Sequence, residues 1–210
     1  IKVITKLKTL EAQKTYDLGS ETLALALADD SIYAILKSGE IKSKKPVNPT
    51  FETIFKSELL NSNIYSDTII GDNSNIALVF ENKSLGILDV VNKDFQKHDL
   101  ALSAPTQIAS FGEALYFLDN LQNQIWKSTP ENNKYAKSAA YLKDANIQIT
   151  NAVDLAIDGS VYLLNSDGTI ARFSRGVKTS DFTIELPAKE KLAGWKIIET
   201  SDGTNALYSV

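Results

Sequence analysis

The chain has 210 residues and a mass of 23.0 kDa, with 22 basic against 26 acidic residues and a net charge of -4. It contains no Cys, no Met and one His, which excludes disulfides, thiolate chemistry, Cys-ligated metals and multi-His metal centres. No apolar run approaches the roughly 20 residues that span a bilayer as a helix, so no membrane insertion by this segment is expected. Only two of its basic residues are arginines, Arg172 and Arg175, and on an acidic background this argues against nucleic acid as a partner.

In chain order, residues 1–7 and 13–18 alternate apolar with polar and read as two strands. Beyond them a unit repeats. Ser31-Ile32-Tyr33, Asn75-Ile76-Ala77, Ala114-Leu115-Tyr116, Ser160-Val161-Tyr162 and Ala206-Leu207-Tyr208 place a marker residue at positions 33, 77, 116, 162 and 208, spaced by 44, 39, 46 and 46. A turn precedes each marker, at Asp29-Asp30, residues 71–74, Gly112-Glu113, Asp158-Gly159 and residues 201–204. Such Asp- and Gly-rich pairs between apolar runs are hairpin signals, because tight turns need positive φ. A second turn follows at 37–40, 81–84, 119–123 and 165–168, and third strands at 40–43, 85–91, 124–127 and 169–173. Fourth strands are expected at 51–57, 95–100 and 181–186. In the third unit, residues 138–144 have the best helical propensity of the chain and read as one helical turn or an irregular insertion in an outer loop.

A four-stranded meander repeated every 40 to 50 residues is the pattern of a β-propeller blade, whereas a β-sandwich needs no such recurrence of one marker. The expected fold is therefore all-β, with complete blades over residues 20–60, 61–100, 101–145 and 146–188. The chain starts with Ile1 and not Met, and reads as a product or excerpt of a longer protein. Residues 1–19 match the outer strands of a blade and residues 189–210 the inner strands, so the two ends are expected to share a fifth, closing blade. The alternative is a fragment of a six- or seven-bladed ring.

The hairpins Asp119-Asn120-Leu121-Gln122-Asn123-Gln124-Ile125-Trp126 and Asn165-Ser166-Asp167-Gly168-Thr169-Ile170 resemble those of NHL- and YVTN-type propellers. There a D-x-x-N-x-x-I or D-G-x-I turn joins the second and third strands. Residues 141–173 are also similar to a propeller region of uncharacterised bacterial proteins, where it follows a membrane segment and a protein phosphatase-like domain. That second resemblance implies an extracytoplasmic or cell-surface propeller with no known activity of its own. The Trp-Asp dipeptide of WD-type blades is absent.

Candidate chemistry is sparse. His98, with Asp94, Asp99, Ser84 and Ser103 nearby in sequence, has the ingredients of a triad, but it falls on an outermost strand without a nucleophile elbow and is expected to be solvated. Asp72, Asp158, Asp167 and Asp202 recur at turns and serve turn geometry, because no calcium loop surrounds them. Asn82-Lys83-Ser84 is a glycosylation sequon, discounted on a composition of bacterial type. Trp126 and Trp195 are expected between blades.

The polar residues entering the innermost strands are the more informative group: Glu21 and Thr22, Ser66 and Asp67, Thr106 and Gln107, Asn151 and Asp154, and Lys196. Of these, Glu21, Asp67, Thr106, Gln107, Asn151 and Asp154 are the candidate binding residues of a channel mouth. Lactonase-type propellers hold calcium there with Glu, Asn and Asp, and Asp67, Asn151 and Asp154 are residue types that serve that purpose, but polar channel linings are general to the fold, so a solvated mouth with capped strand ends and no metal is the expectation. The leading expectation is a non-catalytic propeller that binds a protein, peptide or glycan, with no cofactor; the alternative is a calcium-dependent hydrolase of the lactonase type.

Overall fold

The computed structural model describes residues 18, 22–28, 31–45, 47–58, 64–70, 75–99, 102, 105–132, 134, 135, 137–183, 195–199 and 205–209. Over these residues the chain is nearly all strand, with four antiparallel four-stranded sheets and one two-stranded sheet. The first sheet is β1 (Thr22–Ala28), β2 (Ser31–Leu36), β3 (Glu40–Lys44) and β4 (Glu52–Lys56). The second is β5 (Ile64–Ile70), β6 (Asn75–Phe80), β7 (Leu85–Asp89) and β8 (Asp94–His98). The third is β9 (Gln107–Phe111), β10 (Ala114–Asp119), β11 (Gln124–Ser128) and β12 (Ser138–Ala140). The fourth is β13 (Ala152–Ile157), β14 (Val161–Asn165), β15 (Thr169–Ser174) and β16 (Val177–Thr183), and β17 (Trp195–Glu199) pairs with β18 (Asn205–Ser209).

Each sheet is a meander in sequence order, and the first strands lie side by side: β1 against β5, β5 against β9, β9 against β13 and β13 against β17. Sheets radiating from a row of innermost strands are the blades of a β-propeller. The outer strands expected from residues 1–17 lie outside the described residues. The helical turn expected at 138–144 is not formed. Ser138–Ala140 instead pairs with β11 as the outermost strand of the third blade, and sheet pairing overrides the local propensity.

Side chains alternate across each strand, and the two faces of a sheet have different roles. The forward face of the first blade, with Ala24, Ala26, Tyr33, Ile35 and Ile41, packs on the rear face of the second, with Ile76, Leu78, Phe80, Leu88 and Phe95. Ala77, Val79 and Leu85 repeat this on Ile108, Leu115 and Phe117 of the third blade. Tyr116, Leu118 and Ile125 repeat it on Leu155, Val161, Leu163 and Phe173 of the fourth. The marker position thus sits on the forward face at every seam, with Tyr33 and Tyr116 almost fully buried. The rear-face Phe80, Phe117 and Phe173 are wholly buried, and each contributes about 1.5–3 kcal/mol.

The turn from second to third strand explains the sequence signals there. In each blade an amide closes the turn onto a carbonyl three residues back: Gly39 on Leu36, Lys83 on Phe80, Asn123 on Asn120 and Gly168 on Asn165. All four closing residues have positive φ, between 52° and 85°. Glycine takes this conformation without cost, and Asn tolerates it.

Candidate functional site

The inner strands begin with a shared irregularity. The register shifts between Thr22 and Ala24 on β1, between Ile64 and Ser66 on β5, and between Ala152 and Asp154 on β13. On the third blade, the Thr106 amide bonds to the Leu118 carbonyl at 2.9 Å while Gln107 pairs with the same Leu118. Bulges of this kind re-aim side chains and are frequent beside functional sites.

Past the bulge, Ala24, Ser66, Gln107 and Asp154 occupy one equivalent position, opposite Ile35, Val79, Leu118 and Leu164. Four chemically different side chains stand there. The position two residues on is small in each of the four four-stranded blades: Ala26, Thr68, Ala109 and Ala156. Ser66 donates its hydroxyl to Gln107 Oε1 at 2.8 Å and accepts the Ile108 amide at 3.2 Å. Thr68 and Ser110 hydroxyls meet at 3.4 Å, which completes a polar strip along the seam of the second and third blades. Because Gln107 Oε1 accepts from Ser66, its amide N–H groups are the side left to serve a ligand acceptor.

Of the expected site residues, Gln107 stands in this strip. Asp154 holds the equivalent position on the fourth blade, half-buried, with Oδ1 accepting the Leu155 amide at 2.8 Å. Thr106 and Asn151 are exposed at the strand entries, and the Thr106 hydroxyl donates to the Leu118 carbonyl at 3.3 Å. Asp67 lies opposite Leu78, one residue out of phase with Asp154, and so belongs to the rear register on a strand that β9 separates from β13. Glu21 lies outside the described residues. Among the described residues no three His, Cys, Asp or Glu side chains come together as a metal site.

His98 ends the outermost strand β8, as expected, but it is not simply solvated. It is half-buried, with its ring edge-on to Tyr135 at 6.2 Å. Burial first, and then the Lys134 charge, lower its pKa below the ordinary 6.5. Ser84 is engaged elsewhere, its hydroxyl donating to Asn82 Oδ1 at 2.6 Å. Asp158 and Asp167 accept the amides of Ser160 and Thr169 at 3.1 and 2.9 Å, which is the turn chemistry their spacing suggested.

Sequence reasoning missed the partners Thr68 and Ser110 and the work of the third-blade hairpin. There Asn120 Nδ2 donates to the Ala152 carbonyl at 2.8 Å, and Asn123 Nδ2 donates to that of Ile147. Asn123 Oδ1 accepts the Ile149 amide at 2.6 Å and Gln124 Oε1 the Leu142 amide at 2.8 Å. The third-blade hairpin is thus a clamp on the segment leading into the fourth blade, made by Asn120, Asn123 and Gln124, and its chemistry is structural.

The blades and their polar inner entries define a β-propeller. No protein-family model matches the chain, and no curated protein does. Solved structures do. A Bacteroides thetaiotaomicron protein of unknown function aligns with a TM-score of 0.62 at 12% identity, over 85% of this chain and 54% of that one. Regucalcin from Agrobacterium tumefaciens, described as a calcium-binding protein, aligns at 0.63 and 16%, over 87% and 66%. A luciferin-regenerating enzyme aligns at 0.60 and 13%, over 87% and 67%. The chain therefore spans about half to two thirds of these propellers, and the likeness at such identities is one of fold.

Proposed function

We propose that this chain is a ligand-binding propeller whose site is the polar mouth formed by its inner-strand entries, and that it binds a protein, peptide or glycan segment without catalysis. The reading rests on one observation. At the first position past the bulge, the blades carry Ala24, Ser66, Gln107 and Asp154, while the packing positions beneath repeat. Variation from Ser66 to Gln107 to Asp154 at one equivalent position, beside packing positions that stay apolar, supports selection for a ligand at the entries of these three blades. The Gln107 amide donors and the Asp154 carboxylate suit a polar, uncharged or weakly cationic ligand. An extracytoplasmic setting in a larger bacterial protein belongs to the same reading, supported by the resemblance of residues 141–173 to such regions.

The second reading, a calcium-dependent hydrolase, is favoured by two of the aligned structures, one named calcium-binding and one named an enzyme. Peptide and glycan arrays probed with the labelled chain test the first reading: spots lost on Gln107→Ala and Asp154→Ala but kept on Phe111→Ala support it. Arrays without such spots, together with a saturable calcium-dependent rise in melting temperature abolished by Asp154→Asn, support the second.

A further inference from the structure

The outermost strand of the fourth blade differs from the other three. β16 runs for seven residues, against five in β4, five in β8 and three in β12. All seven of its side chains are exposed, whereas each of the other outermost strands has at least one that is covered in part. Among the described residues β16 stands at the border of its sheet, with β15 as its pairing neighbour. A sheet border presents backbone N–H and C=O groups to any strand laid beside it, and short length, proline and repeated charge are common protections. β16 is long, has no proline, and carries one Lys and one Asp.

A bulge orders its side chains. Phe173 pairs with Lys178 and Arg172 with Ser180, so Thr179 is the extra residue, and its hydroxyl donates to the Arg172 carbonyl at 3.1 Å. The extra residue inverts the alternation beyond it. Val177 and Phe182 therefore share the forward face, opposite Ser174 and Ile170, and are 53% and 37% exposed. Lys178 and Asp181 share the rear face, opposite Phe173 and Ala171, and are paired at 2.8 Å with both side chains about half exposed.

This pattern is complementary to itself. When a second copy is laid antiparallel along β16 with Thr179 opposite the copy's Ser180, Val177 meets Phe182 and Lys178 meets Asp181. Both members of each pair lie on one face, and the two-fold axis forms each pair twice. Centring the strands on Asp181 instead sets two carboxylates opposite one another, which is destabilising. We propose that β16 is a dimerisation edge whose occupant is the β16 of a second copy of this chain, paired in the register that opposes Lys178 to Asp181. Two strands of this length cover less than a standard interface of roughly 1,600 Å², so the association is weak.

The absence of cysteine makes the register directly readable, because one introduced thiol reports one position. Lys178→Cys and Asp181→Cys chains, one of them isotopically labelled, are mixed, oxidised with glutathione and weighed by mass spectrometry. Opposed residues of antiparallel strands lie within disulfide reach, so the mixed disulfide is expected to exceed either homodisulfide by at least about tenfold, against about twofold for random pairing. Sedimentation of the parent chain is expected to show a dimer at about 200 μM that dissociates below about 5 μM. Asp181→Lys is expected to weaken that dimer at least about tenfold, and Lys178→Asp combined with Asp181→Lys to restore it. Three results overturn the proposal: a parent chain that stays monomeric at the higher concentration, a dimer indifferent to Asp181→Lys, or a mixed disulfide at the random share. Should the variants fail to fold, hydrogen exchange of the β16 amides in the parent chain at the two concentrations decides. Protection that rises with concentration supports the pairing, and equal exchange overturns it.

Discussion

Ser66 and Gln107 are joined by a 2.8 Å hydrogen bond across the boundary of two blades, 41 residues apart in sequence. The same Ser66 oxygen accepts the amide of Ile108, a residue 4% exposed. One hydroxyl therefore fixes both the Gln107 amide orientation and the start of β9. Ser66→Ala removes it and leaves a buried N–H without its acceptor, at an expected cost of about 1–3 kcal/mol in urea unfolding. Ser66→Thr retains the oxygen and is expected to recover most of that loss.

Asn123 combines a φ of 52° with two side-chain bonds to the segment before the fourth blade. Asn123→Gly keeps the backbone at ease and removes both bonds, so its cost measures the clamp alone, about 1–3 kcal/mol. Asn123→Asp keeps the acceptor for the Ile149 amide and loses the donor to the Ile147 carbonyl, and is expected to fall between Asn and Gly. Hydrogen exchange at Ile149 should quicken in Asn123→Gly and less so in Asn123→Asp.

Gly176 and Gly112 both have positive φ, at 82° and 57°, but in different surroundings. A Cβ on Gly176 would stand 2.0 Å from the Tyr141 carbonyl oxygen, whereas one on Gly112 meets nothing within 4 Å. Gly112→Ala is expected to cost about 1–2 kcal/mol, the backbone penalty alone. Gly176→Ala adds a backbone clash and disturbs the 3.0 Å bond from the Lys143 amide to the Gly176 carbonyl, so its melting temperature should fall clearly further.

His98 gives a signed pH dependence. Its folded-state pKa is depressed below 6.5, so in the window between the two values the unfolded chain holds more proton than the folded one. Stability is therefore full above about pH 6.5, declines as pH falls through that value, and levels off once the folded form also protonates. Comparing melts of the parent and His98→Gln between pH 8 and pH 5 tests this, with the slope expected to flatten in His98→Gln; an equal slope in both assigns it to other groups.

Asp89 acts at lower pH. Burial works to raise its pKa, but is outweighed by hydrogen bonds from the Asn92 amide and side chain and from the Val91 amide, so the net shift is downward from 3.8. The stability this carboxylate contributes is present above about pH 3.8 and is lost as pH falls through the lowered value. Asp89→Asn is expected to reduce the midpoint at neutral pH and to leave it unchanged in strong acid.

The blade architecture was legible because packing repeats. Tyr33, Tyr116 and Tyr162 take one register on one face, and the same turn closes ahead of each third strand, so periodicity carried the information. Ser138 to Ala140 was misread because local propensity favours helix there, while the pairing that makes it a strand comes from β11. The site was half legible. Polar residues at strand entries are visible in sequence, but which face they take depends on a one-residue bulge, and this puts Asp67 and Asp154 out of phase. Thr68 and Ser110 gave no signal, since a hydroxyl inside a strand reads as an ordinary outward position.

The two faces of each sheet also set how such a chain can change length. At three successive seams a forward face meets a rear face by the same rule, small residues on the inner strand and a marker on the second, so the blades couple like vehicles with a hook at one end and an eye at the other. A duplicated unit spliced between the second and third blades is therefore expected to meet a face of the same kind on either side. The Ser66–Gln107 bond is the exception, written for one pair of neighbours alone. It marks the junction where an inserted unit would be felt.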